Sequence, residues 1–176
     1  MIISTNAGLW GYNIGDTVQF TSLFPHRVIV SGRIKHYISA FGEHVIGEEV
    51  EQSLLKAAET ENIHIREFTV APVITADKGK SFHEWFIEFE NEPSDLKRFA
   101  QKVDENLRKK NIYYDDLITG HILQPLKISV VKKNGFVEYM KSIGKLGGQN
   151  KVPRLSNDRK IADDLAKWVE GIGIRS

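Results

Sequence analysis

Ile63-His64-Ile65-Arg66-Glu67-Phe68-Thr69-Val70-Ala71-Pro72-Val73-Ile74-Thr75 and, after a polar break, Phe82-His83-Glu84-Trp85-Phe86-Ile87-Glu88-Phe89 decide the fold. The first run is long and β-branched, and the second alternates strongly between apolar and polar side chains. Asp77-Lys78-Gly79-Lys80 between them is polar and carries a glycine, as a hairpin connection should. Two antiparallel strands are expected. Upstream, from Gly47, the residues Val50, Leu54, Leu55 and Ala58 recur at helical spacing, with Glu48, Glu49, Glu51 and Gln52 in the first turn, where acidic groups suit the helix dipole. Downstream, Leu96, Phe99, Ala100, Val103 and Leu107 form a second helical stripe, with Ser94 as its expected cap and Arg108, Lys109 and Lys110 at its negative end.

Further outward, Leu126 to Val131 reads as a strand and Phe136 to Ile143 as a short helix. Asp158 to Val169 reads as a terminal amphipathic helix capped by Ser156 or Asn157. Before Gly32 the chain is rich in turns, with short strand-like runs at Ile2 to Thr5, Leu9 to Tyr12, Thr17 to Thr21 and Arg27 to Val30, so Gly32 marks the candidate boundary. If Val28 to Val30 or the strand at Tyr37 opens the series, the order is β-α-β-β-α-β. The expected class is α+β: a small antiparallel β segment, then a split-βαβ (ferredoxin-like) sheet with helices on one face and a C-terminal helix. Residues 111–125 and 144–157 are expected as long loops, which carry function more often than not.

Composition narrows the function classes. With 176 residues, 41% hydrophobic and 27% charged, the chain can bury a real core. The absence of cysteine excludes a disulfide framework, a thiolate nucleophile and cysteine-ligated metal sites. The 24 basic and 23 acidic residues nearly cancel, so no overall field draws the protein to nucleic acid or an anionic membrane, and neither is an expected partner. The six histidines include no His-x-x-x-His pair, and no metal site is expected. Asp115-Asp116 and Asp163-Asp164 are adjacent acids that point in different directions, which suits solvent better than a catalytic dyad. No apolar run approaches the roughly 18 residues that span a bilayer, and Met1 to Thr5 lacks the pattern of a signal peptide. The expected location is the cytoplasm. A strand-like run that begins at Ile2 makes the chain read as trimmed at its start.

Three segments can carry chemistry. Gly11-Tyr12-Asn13-Ile14-Gly15-Asp16 is a turn between strands, or it is a strand end whose carboxylate accepts two ribose hydroxyls at once. Ser31-Gly32-Arg33-Ile34-Lys35-His36, followed by Phe41-Gly42-Glu43 and Glu49-Val50-Glu51, is a basic strand, a glycine turn and a helix start. Leu146-Gly147-Gly148-Gln149-Asn150-Lys151-Val152-Pro153-Arg154 is a solvated connector, or a loop that brings an ammonium to a phosphate or carboxylate. It lacks the spacing of a phosphate-binding P-loop.

Taken in order, these segments resemble the C-terminal portion of the Gretchen Hagen acyl-acid amido synthetases, the auxin- and jasmonate-conjugating family that has bacterial relatives. The family phrase Thr-x-Ala-Gly-Leu-Tyr-x-Tyr-Arg-x-Gly-Asp is similar to Thr5-Asn6-Ala7-Gly8-Leu9-Trp10-Gly11-Tyr12-Asn13-Ile14-Gly15-Asp16, and Gly-Gln-Phe-Lys-x-Pro-Arg to Gly148-Gln149-Asn150-Lys151-Val152-Pro153-Arg154. Arg33, Lys35, Gly42, Glu49 and Glu51 fit the hinge order of the wider acyl-adenylate-forming superfamily. Two positions depart from the pattern: Asn13 stands where the plant family has arginine, and Gly32 where many superfamily members have the hinge aspartate.

The resemblance implies that residues 1–31 end a large N-terminal domain and that 32–176 form a C-terminal lid domain, with the hinge near 31–33. It implies an ATP-dependent, AMP-forming ligase of bacterial type that adenylates a carboxylic acid and passes the acyl group to an amino acid, with ATP and Mg2+ as the cofactors of the full-length enzyme. Lys151 would be the catalytic lid lysine, and Asp16, Arg33 and Tyr12 would contact the nucleotide. The partner would be the chain's own missing N-terminal domain, and the isolated chain would be inactive. The competing expectations are a stand-alone ferredoxin-like binding or interaction module and the lid of an acyl-CoA ligase.

Overall fold

The structure, a computed structural model, describes residues 2–8, 10–13, 16–33, 37–76, 81–147 and 150–170, and within them no side chains at 13, 16, 17 and 31–33. Short strands come first: β1 (Ile2–Ile3), β2 (Tyr12–Asn13), β3 (Asp16–Leu23), β4 (His26–Arg33), β5 (Tyr37–Ile38) and β6 (Val45–Ile46). Then follow α1 (Gly47–Glu61), β7 (Ile65–Val73), β8 (Phe82–Phe89), α2 (Leu96–Lys110), α3 (Ile112–Thr119), β9 (Lys127–Val130), α4 (Gly135–Ser142) and α5 (Lys160–Leu165), which runs into a 3-10 turn at Ala166–Trp168.

The main sheet has the order β7-β8-β9, antiparallel between β7 and β8 and parallel between β8 and β9. Alternation along β8 divides its side chains between two cores. Trp85, Ile87 and Phe89 join Phe68 and Val70 under α1, α2 and α3, where Leu54, Phe99, Val103, Leu107 and Tyr114 are buried. Phe86 and Ala71 face the other way, into a smaller cluster with Phe136, Tyr139 and Met140 of α4, Ala162 and Leu165 of α5, and Val152. The buried Glu88 belongs to this second face, where its carboxylate accepts the Asn134 amide at 2.8 Å and the Phe136 amide at 3.3 Å at the start of α4. Both edges of the sheet are met by non-strand segments. Leu155 bridges Val70 on the β7 side, and Val169 bridges Val131 beyond β9.

The α+β class stands as read, and β7, β8, α1 and α2 lie where periodicity puts them. The opening strand differs. Val28 to Val30 pairs with β3, and Tyr37–Ile38 turns back at Gly42 (φ 90°) to pair with β6, so neither joins the main sheet. The segment 111–125, expected as a loop, contains α3, because the Asn111 side chain accepts the Tyr114 amide and starts a new helix directly after α2 ends. The cap of α2 is Asp95 rather than Ser94, through the Arg98 amide at 3.0 Å. The terminal helix is shorter than expected and begins at Lys160 with no side-chain cap, because Ser156 and Asn157 are engaged elsewhere. The connection Asp77 to Lys80 lies outside the described residues.

Among the described residues, every buried side chain lies at Ile38 or beyond. The β3–β4 ladder, joined at Phe24-Pro25, instead exposes Phe20, Leu23, Phe24, Val28, Ile29 and Val30.

Candidate functional site

Residues 152–156 run along β7 and are held to it by main-chain and side-chain bonds. The Val70 amide donates to the Arg154 carbonyl at 3.0 Å, the Ser156 amide donates to the Val70 carbonyl at 2.9 Å, and the Thr69 hydroxyl donates to the Pro153 carbonyl at 2.7 Å. Val152 and Leu155 are buried, so the segment is fixed from both faces. Its two cations have different fates. Arg154 is ion-paired with Glu67, its guanidinium lies 4.3 Å over the Phe68 ring, and Nη1 donates to the Phe68 carbonyl at 3.4 Å. Burial holds its pKa below the ordinary arginine value, with Glu51 acting against that shift. Lys151 is exposed and makes no hydrogen bond or ion pair with any described residue. It is an ammonium at the entrance of a rigid segment, free to meet an anion.

The next residue along this segment reaches the other end of the chain. Asn157 Nδ2 donates to the Tyr37 carbonyl at 2.7 Å, and its Oδ1 accepts the Ser39 amide at 2.9 Å. Just beyond, the turn at Gly42 is anchored in the core by Glu43, which is fully buried. Its Oε2 accepts the Phe41 amide at 2.7 Å, and its Oε1 lies 2.8 Å from His83 Nε2. A carboxylate only accepts, so Nε2 carries the proton of this bond. Burial alone raises the Glu43 carboxyl, but the His83 hydrogen bond and charge, with the backbone amides, outweigh it and hold the group below its ordinary value. His83 stacks on Tyr114 at 5.4 Å, and the Tyr114 hydroxyl donates to the buried Asp104 at 2.6 Å. Burial first, and Asp104 second, push that phenol well above its ordinary pKa.

At the N-terminal side, Asp16 and Arg33 are direct partners in the β3–β4 ladder, so the backbone sets these two predicted nucleotide-contacting residues opposite each other. Their side chains, and Gly15, Lys35, Gly148 and Gln149, lie outside the described residues. Tyr12 is in β2 opposite Ile3 and is exposed. The Glu-x-Glu helix start is structural at its first member. Glu49 accepts the Ile46 amide and the Asn111 side chain, both at 3.0 Å, which joins the start of α1 to that of α3. Sequence reasoning missed Asn157, which reads as a helix cap, and Glu43, whose partner is 40 positions away.

A family model described as the GH3 family C-terminal domain matches residues 48–160. The chain belongs to the GH3 family. That is the family the three sequence phrases resemble, and the match spans α1 through the anchored segment that follows Lys151. Two solved GH3 structures are similar in fold. "GH3.15 acyl acid amido synthetase" superposes with a TM-score of 0.76 at 18% identity, covering 97% of this chain and 33% of that one. "AtGH3.15 acyl acid amido synthetase in complex with 2,4-DB" gives 0.75 at 18%, covering 97% and 32%. The chain thus spans about a third of the length of these GH3 structures. No curated protein sequence matches it. Among the described residues no helix is long and apolar enough to cross a membrane, and no three His, Cys, Asp or Glu side chains gather as a metal site.

Proposed function

We propose that this GH3 domain is the C-terminal lid of a bacterial-type, cytoplasmic, ATP-dependent ligase that adenylates a carboxylic acid and conjugates the acyl group to an amino acid. The observation that carries the reading is the Lys151 ammonium, which pairs with no described residue and sits at the entrance of an edge segment held to β7, within the phrase that resembles the GH3 one. When a carboxylate oxygen approaches the α-phosphate of ATP, negative charges crowd together. A cation placed between them in a water-poor site stabilises that arrangement. Asp16 would orient the ribose, Arg33 across the ladder would contact ribose or phosphate, and Tyr12 would line the nucleotide. Mg2+ would enter with the nucleotide, since such ions are held by phosphates and one or two carboxylates rather than by an all-protein cage.

In this reading, residues 1–31 close a large N-terminal domain and 32–176 are the lid, with the hinge near 31–33. The exposed apolar hairpin and a core that begins at Ile38 support that division. The test is direct. A longer chain that contains this one should release pyrophosphate from ATP with a carboxylic acid and then form an amide, whereas the 176-residue chain alone should not. Lys151→Ala in the longer chain should lower adenylation by about 10²–10³-fold, the scale of losing one preorganised donor to a developing charge. Turnover by the isolated chain, or full activity of the Lys151→Ala enzyme, would overturn the proposal. Formation of an acyl-CoA in place of an amide would reassign the acceptor.

A further inference from the structure

The segment that leaves the hinge region and the segment that carries Lys151 are 120 positions apart at Tyr37 and Asn157, yet one side chain joins them. Asn157 satisfies the carbonyl of Tyr37 and the amide of Ser39, the two main-chain groups that flank Ile38, at 2.7 and 2.9 Å. A primary amide offers one acceptor and two donors in a plane, so it does here what a residue of a neighbouring strand would do. The bonds on either side of it are rigid. Ile38 is fully buried and paired with Val45, while residues 154–156 are bonded to Val70 on the other flank. Without Asn157, the described residues give the Tyr37–Ser39 stretch no other hydrogen-bonded tie to the Lys151 segment.

We propose that Asn157 is a positioning residue, a clip that fixes the main chain of β5 against the Lys151 segment where the shared core alone leaves play, so that rotation about the hinge carries the lysine at a fixed reach. The proposal rests on the ligase reading of Lys151 for its consequence, but the clip itself does not. Ile38 and Leu155 already share one core, and without the polar tie the main chain at 37–39 could still shift slightly against the lysine's segment; a displacement of about 1 Å at a reacting group can cost on the order of 10²-fold in rate. Asn157 is exposed and contributes nothing to either core, so its replacement leaves folding intact.

The experiment has two arms. In the 176-residue chain, amide hydrogen exchange is followed at Ser39. Asn157→Ala should speed exchange there about tenfold, the scale of one or two neutral hydrogen bonds, and leave β7 and β8 amides unchanged. Unchanged Ser39 exchange would overturn the clip. In a longer, adenylating chain, Asn157→Ala should lower kcat for pyrophosphate release about tenfold or more, with KM for ATP within about twofold. The Asn157→Ala/Lys151→Ala double variant should be no slower than Lys151→Ala alone, because a group that acts through the lysine adds nothing once the lysine is gone. Additive losses would overturn the positioning role. If no longer chain adenylates any acid, the ligase reading fails and the Ser39 result still decides the clip.

Discussion

A buried charge at a single position anchors the turn at Gly42 to the core. Glu43 is withdrawn from water and retained as a carboxylate by His83 and the Phe41 amide. Its folded pKa is depressed below the ordinary value near 4.5, so its contribution to stability is fully present above that value and is lost as pH falls through the lower, folded one. Glu43→Gln should lower stability at pH 7 by about 1.5–3 kcal/mol, the usual worth of a hydrogen bond to a charged group. The gap between the two proteins should close in acid. Urea titrations at neutral pH and below pH 4 would read both effects. None of this was legible beforehand, since Glu43 and His83 sit in unrelated stretches and neither follows a local pattern. Arg154 was likewise unreadable. Its segment reads as a solvated connector or as a loop that meets an anion, whereas its guanidinium is taken up by Glu67 and Phe68, while Lys151 pairs with no described residue.

Elements with a clean period were legible, and those defined by a single side chain were not. β8 shows its alternation in the sequence, and α2 its stripe, because burial on one face demands those residues at those intervals. α3 escaped notice because one asparagine at position 111 both ends α2 and starts the next helix, so no glycine or proline marks the break. The segment after Lys151 reads as a loop by composition, yet Leu155 is buried against the sheet and pairs with Val70. Leu155→Ala should therefore destabilise the fold by about 2–5 kcal/mol, the cost of a large-to-small change in a packed core. It should also speed cleavage within residues 143–157 relative to the parent chain, with cleavage in the exposed β3–β4 hairpin unchanged. Limited proteolysis with mass analysis, run on both proteins, would check this, and an unchanged cleavage rate within 143–157 would count against an anchored edge.

For the molecule as a whole, the described structure divides into a part with a core and a part without one. Everything buried begins at Ile38, while the β3–β4 ladder shows six large apolar side chains to solvent. In the 176-residue chain, the amides of β3 and β4 should exchange with deuterium within seconds to minutes, while those of β7 and β8 should be protected to near the global stability. Comparable protection in both would mean that the hairpin has a stabilising contact of its own. The sheet edges carry a consequence for handling. At Val70 on β7 and at Val130 and Lys132 at the end of β9, the outward main-chain groups of the main sheet are already taken, by Arg154 and Ser156 on one side and by Trp168 and Glu170 on the other. Another strand laid along either edge would meet an interruption at these points. The two-stranded β3–β4 ladder has no such stoppers among the described residues, so any concentration-dependent clumping should start there, and a lysine in place of Ile29 should suppress it.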